Sequence, residues 1–104
     1  MREGRVVLCV SIDCECDKGP KWRSQRPARF VGIREGIGRR LDPLFRAHGA
    51  KPTYLISPEV LRDAASVELL RALAPRSELG AHLHGEYAEP GAHEPDVTAA
   101  FQRH

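Results

Sequence analysis

Three short apolar runs, separated by segments of helical pattern, organise the chain. Residues 5–12 form a continuous, valine-rich run, which indicates a strand buried on both faces, as in a parallel sheet. Residues 51–57 and 78–83 predict a second and a third strand. Because strands alternate with helical segments, the pattern predicts an α/β fold with about three parallel strands joined by crossover helices.

The segment between the first two predicted strands divides into a loop and a helix. Residues 17–32 contain glycines and prolines without any period, and they predict a long loop of the kind that is often functional. Apolar residues recur at helical spacing over residues 33–48. Pro43 lies inside that pattern and should kink or split the helix, whereas Gly49 stands where a C-terminal cap belongs.

Capping residues mark two shorter helices before the third strand. Ser57 is followed by a proline, which is the pattern of a helix N-terminus, so a short helix is predicted over residues 58–64. Ser66 is the predicted cap of a further helix, which should run to about residue 74 and end at Pro75.

The composition is that of one small globular domain, with 104 residues of which 41% are hydrophobic and 29% charged. The net charge of +2 is too small to indicate nucleic-acid binding. No apolar run approaches the ~18 residues of a membrane span. The N-terminal run lacks a signal-peptide cleavage site and the cysteine count is odd, so we expect reduced thiols and a cytoplasmic location.

Alternation along the predicted strands sorts polar side chains onto one face of the sheet. Successive strand residues point to opposite faces, and the bulkier aliphatic set should meet the helices. Cys14 belongs to that set. The other set gathers four polar residues at the carboxyl ends of the strands, Asp13, Glu15, His82 and His84. Active sites of α/β folds lie at this edge, so we expect these side chains to meet in a functional site.

Carboxylates and imidazoles in this arrangement suit a divalent metal, and zinc is the cation we expect. Two carboxylates this close would raise one pKa unless a cation lies between them. One carboxylate could bind the metal while the other acts as a general base. A structural zinc module is a different interpretation of the same region, with Cys14, Cys16, His82 and His84 as its ligands.

The long loop contributes two further candidates. Trp22 and Arg23 could stack on and contact a sugar, although packing within the loop would explain them equally well.

Three motifs, in this order and spacing, resemble the first part of the polysaccharide deacetylase family, the NodB-homology domain. They are VSIDCE (residues 10–15), KPTYLISPEVL (residues 51–61) and ELGAHLHGE (residues 78–86). The resemblance implies that residues 1–104 are the N-terminal portion of such a domain. Since a complete β/α barrel takes ~250 residues, we expect a partial barrel from a truncated chain, with little or no activity of its own.

The resemblance also implies roles for individual residues. Asp13 would be the base that activates metal-bound water, and Glu15 and His82 would be metal ligands. Glu86 stands where the family has a second histidine, so either Glu86 or His84 would complete the metal site.

The function implied is the hydrolysis of a non-peptide carbon–nitrogen bond, namely metal-dependent N-deacetylation of a sugar or polysaccharide. The expected partner is a carbohydrate or small amide substrate, with no nucleic acid and no membrane. Three alternatives stay open: a metal-independent hydrolase of small amides or ureides, the Cys/His zinc module, and a non-catalytic remnant.

Overall fold

The computed structural model describes residues 4–83, and a three-stranded parallel sheet forms its centre. The strands are β1 (Ser11–Cys14), β2 (Thr53–Ile56) and β3 (Glu78–Ala81), in the order β1-β2-β3. The molecule is therefore a small α/β domain, as the alternation of strands and helical segments predicts.

The register of the sheet decides which side chains share a face. Ile12 pairs with Tyr54, and Cys14 pairs with Ile56, so this set points to one side of the sheet. Cys14 and Tyr54 are buried there, and Ile12 and Ile56 pack against the same core. The division into a core face and a polar face that the sequence predicts is confirmed for β1 and β2.

One long helical segment follows the loop and covers the core face. It begins as a π-helix, Gly32–Leu41, and continues as an α-helix, α1 (Asp42–Ala47). The amide of Asp42 donates to the carbonyl of Ile37, the five-residue spacing of a π-turn. Pro43 lies in the first turn of α1, so the split predicted at this proline occurs as a change of helix type.

Gly49 ends this helical segment, as predicted, in the left-handed conformation with φ of 62°. The amide of Ala50 donates to the carbonyl of Phe45 (2.9 Å), and the amide of Gly49 donates to the carbonyl of Arg46 (3.3 Å). This pair of hydrogen bonds is the Schellman arrangement, which satisfies the last carbonyls of a helix.

The connection from β2 to β3 contains a 3₁₀ helix, Pro58–Arg62, and then α2 (Ala64–Leu73). Ser57 is the N-cap residue of the 3₁₀ helix, as predicted, although its hydroxyl makes no capping hydrogen bond and donates instead to the carbonyl of Cys14 in β1. Ser66, the predicted cap of α2, is wrong. The cap of α2 is Asp63, whose carboxylate accepts from the amide of Ser66 (3.0 Å).

Packing of α2 against the π-helix depends on a small residue. A Cβ atom at Gly38 would lie 3.1 Å from Cδ2 of Leu69, so the absence of a side chain lets α2 approach closely. A salt bridge connects the sequence before β3 to α1. The guanidinium of Arg76 donates two hydrogen bonds to the carboxylate of Asp42 (3.0 and 2.8 Å).

The prediction of a strand over residues 5–12, buried on both faces, is wrong for most of that run. β1 begins at Ser11, and Val6, Val7 and Leu8 are 96%, 83% and 84% exposed. Pairing with β2 begins where the amide of Thr53 donates to the carbonyl of Val10. Within residues 4–83 no strand pairs with the chain before that point, so valine content alone does not make it a strand.

Among residues 4–83, no helix combines the length and the apolar character that crossing a bilayer requires.

Candidate functional site

Asp13, Glu15 and His82 meet at the carboxyl edge of the sheet. Asp13 is the next-to-last residue of β1 and Glu15 lies just beyond the strand, while His82 directly follows β3. The amide of His82 donates to the carbonyl of Ile56 (2.9 Å), which extends the β2–β3 ladder to this residue. The expected convergence of acid and imidazole is therefore present.

The three side chains form a closely spaced group. Nε2 of His82 lies 2.8 Å from Oε1 of Glu15, a hydrogen bond, and 3.8 Å from Oδ2 of Asp13. The exposed fraction of the side chain is 14% for Glu15, 28% for His82 and 57% for Asp13. The Glu15–His82 pair is thus the sheltered part of the site, and Asp13 is its solvent-exposed carboxylate.

Two buried side chains hold the backbone on either side of Glu15. The hydroxyl of Ser57 donates to the carbonyl of Cys14 (3.0 Å), and the amide of Cys16 donates to Oε1 of Glu59 (3.0 Å). Ser57 is fully buried and Glu59 is 5% exposed. Because both neighbours of Glu15 are fixed from the segment after β2, its carboxylate is directed towards His82.

An open groove of about 650 Å³ runs past this group. Its other lining residues come from the chain that follows β1: Cys16, Asp17, Lys18 and Trp22. Trp22, a predicted substrate-binding residue, is 76% exposed in this groove. Arg23, the other one, is exposed but does not line the groove.

Asp17 closes the loop that carries Trp22. Its carboxylate accepts from the amides of Val31 (2.8 Å) and Gly32 (2.9 Å), and its own amide donates to the carbonyl of Arg29 (2.7 Å). The carboxylate therefore also meets the positive end of the π-helix, where a negative charge is favourable. Sequence reasoning treated the loop as irregular, and the structure shows that Asp17 joins its two ends.

The two cysteines of the CEC motif lie in different places. Cys14 is fully buried on the core face, the side of the sheet opposite His82. Burial and the neighbouring charges of Asp13 and Glu15 raise the pKa of its thiol from 9.0 to about 12. Cys16 is also buried, with Sγ 3.5 Å from Oγ of Ser24. The placement of Cys14 is unsuited to a zinc module shared with His82.

The donor chemistry of the site suits a divalent cation, since it offers a carboxylate and an imidazole side by side. Among residues 4–83, no group of three or more His, Cys, Asp or Glu side chains has the geometry of a metal site. Glu15 and His82 thus fit two positions of a coordination sphere. The other predicted ligands, His84 and Glu86, lie outside the described residues.

Sequence reasoning missed Asp17, Lys18 and Glu59. Asp17 continues the alternation of Asp13 and Glu15, which is a signal for a third acid on the same side. Glu59 follows β2 at the same edge of the sheet, and an acid within an otherwise apolar stretch there was a signal as well. Nothing in the local pattern indicates which of these acids are buried.

Fold and site together define the class: an α/β domain with a carboxylate–histidine group at the carboxyl edge of a parallel sheet. Comparisons of the chain with models of known protein families, with curated proteins and with solved structures found no match.

Proposed function

We propose that the chain carries the catalytic edge of a hydrolase that cleaves a non-peptide carbon–nitrogen bond, with N-deacetylation of a sugar or polysaccharide as its reaction. The observation that supports this proposal most is the position of His82, whose Nε2 lies 2.8 Å from Glu15 and 3.8 Å from Asp13. On this proposal, the three strands correspond to the first part of a deacetylase-type β/α barrel.

The division of roles follows from exposure. Glu15 and His82, the sheltered pair, would hold a divalent cation such as zinc, together with His84 or Glu86, which follow β3 in the sequence. Such a cation supplies a Lewis acid that polarises a carbonyl and acidifies water. Asp13, the exposed carboxylate, is free of the Glu15–His82 hydrogen bond and takes the proton of the attacking water as general base.

Two substitutions separate the roles of the carboxylates. In a version of the protein that completes the barrel, Asp13→Asn should retain zinc binding, measured by titration calorimetry, and should lower acetate release from N-acetylglucosamine oligomers by roughly 10²–10⁴-fold. Glu15→Ala should lose zinc binding, because one of its ligands is removed. Glu68→Ala, an exposed position on α2, is the matched control and should change neither measurement.

Unchanged turnover in Asp13→Asn would contradict the assignment of the base. Turnover that persists after all metal is removed by a chelator would point instead to the metal-independent hydrolysis of amides.

A further inference from the structure

The loop beside the candidate site has one sign of charge. Every charged residue between Asp17 and Glu35 is a cation, namely Lys18, Lys21, Arg23, Arg26, Arg29 and Arg34. Lys21, Arg23, Arg26 and Arg29 are exposed. The groove itself is lined by the carboxylates of Asp13, Glu15 and Asp17 and by one cation, Lys18. The other positive charges therefore lie on the exposed loop outside the groove lining.

Trp22 lies within this cationic loop and presents its ring to the same groove. The backbone of Lys21 and Trp22 is left-handed, with φ of 59° at both residues, which is uncommon for side chains of this size. The turn is closed by the amide of Gly19, which donates to the carbonyl of Arg23 (2.6 Å). A bulky aromatic side chain is thus held in solvent by a constrained turn, next to the candidate catalytic group.

From this arrangement we infer that the groove and the exposed cationic loop beside it together bind an anionic glycan. The inference rests on the proposed function and names its substrate class. An uncharged N-acyl sugar occupies the carboxylate edge, where a negative group would be repelled by Asp13 and Glu15. The neighbouring sugars stack on Trp22, which lines the groove, and continue over the exposed loop, where their carboxylates meet Lys21 and Arg23. A polymer that alternates N-acetylated and acidic sugars matches both the acidic groove and the basic loop beside it.

The chain contains a single tryptophan, so its fluorescence reports on this loop alone. In the Asp13→Asn variant, which removes turnover, a hyaluronan tetrasaccharide should change the Trp22 emission and bind roughly tenfold more tightly than a chitin tetrasaccharide at low salt. The two probes share N-acetylglucosamine, and in hyaluronan glucuronate with its carboxylate replaces every second one of these sugars, with one changed linkage; the salt dependence isolates the contribution of charge. The preference should disappear at about 0.5 M salt, because screening removes interactions between exposed charges.

Two double variants test which cations cause the preference for hyaluronan. Lys21→Gln with Arg23→Gln should weaken hyaluronan binding roughly 2- to 30-fold and leave chitin binding unchanged. Lys51→Gln with Arg71→Gln removes the same charge before β2 and on α2, and should leave both affinities unchanged. Trp22→Ala, measured by calorimetry, should weaken both glycans by about the same factor, since stacking does not depend on charge.

Equal affinity for the two tetrasaccharides at low salt would overturn the inference. So would binding of a single-stranded RNA oligonucleotide as tight as that of hyaluronan, which would mark the loop as a general polyanion surface. The proposed function fails separately. If a wild-type protein that completes the barrel bound hyaluronan selectively but released no acetate, the binding inference would stand and the deacetylase proposal would be wrong. Acetate release from chitin, without any preference for hyaluronan in binding, would support the deacetylase proposal and overturn the inference of an anionic glycan.

Discussion

At the scale of single residues, Cys14 and Glu15 are neighbours in opposite environments. The thiol of Cys14 lies in the core beside Tyr54, and the carboxylate of Glu15 lies in the groove against His82. This difference follows from strand alternation, which sends adjacent side chains to opposite faces. The buried thiol is kept in its neutral form because its pKa is raised to about 12.

The raised pKa of Cys14 makes stability depend on pH in the alkaline range. Between pH 9.0 and about 12 the unfolded chain loses the thiol proton while the folded chain retains it. The free energy of unfolding should therefore fall as pH rises through this range, by at most ~1.4 kcal/mol per pH unit from this group. Urea denaturation at successive pH values measures the slope.

Cys14→Ala serves as the control, because the variant has no thiol to ionise at this position. Its slope should be shallower than that of the wild type. Tyr54, whose pKa is raised chiefly by burial, contributes to the slope of both proteins, and the charge of Cys14 adds to its shift only in the wild type. Identical slopes would show that Cys14 is exposed to solvent in the folded chain.

At the scale of elements, capping decides where α2 begins. The helix starts at Ala64 because the carboxylate of Asp63 satisfies the amide of Ser66. Asp63 also lies 3.9 Å from the guanidinium of Arg34 in the π-helix, so the same side chain touches two elements. Ser66, the cap that local pattern favoured, is instead buried inside the first turn.

Removing the cap should weaken the domain measurably. Asp63→Ala should lower the free energy of unfolding by about 0.5–2 kcal/mol, since an amide of the first turn loses its acceptor. Asp63→Asn keeps a good capping oxygen and should cost much less. Both are measured by urea denaturation, and an equal loss in the two variants would assign the effect to the charge near Arg34 instead.

At the scale of the whole molecule, the sheet has one face for stability and one edge for chemistry. The helices cover one face and form a single core, in which Val60 is fully buried. The apolar residues before β1 take no part in it, and Val7 is 83% exposed. Substitutions of the same chemical type should therefore have very different costs at the two valines.

Val60→Ala should lower the free energy of unfolding by about 1.5–3 kcal/mol, because it removes buried methyl groups and leaves a cavity. Val7→Ala removes the same atoms from an exposed position and should stay within about 0.5 kcal/mol of the wild type. Urea denaturation of both variants tests the contrast. A large loss at Val7 would mean that the segment before β1 is part of the core after all.

Local sequence pattern predicted most of the architecture. It predicted the three strands in parallel order, the helix ending at Gly49 and the change at Pro43. It also placed Asp13, Glu15 and His82 on one side at the carboxyl edge. These features repeat with the period of the element or depend on the backbone preferences of one residue, so they can be deduced without knowing what lies nearby.

Other features were decided only by tertiary structure. The start of β1 depends on where β2 can pair with it, and the direction of the Glu15 side chain depends on Ser57 and Glu59, which are more than forty positions away in the chain. The same is true of Asp17, whose partners lie across the loop at Val31 and Gly32. A residue's own sequence neighbourhood contains no record of such contacts, because they form only when distant segments are brought together in the fold.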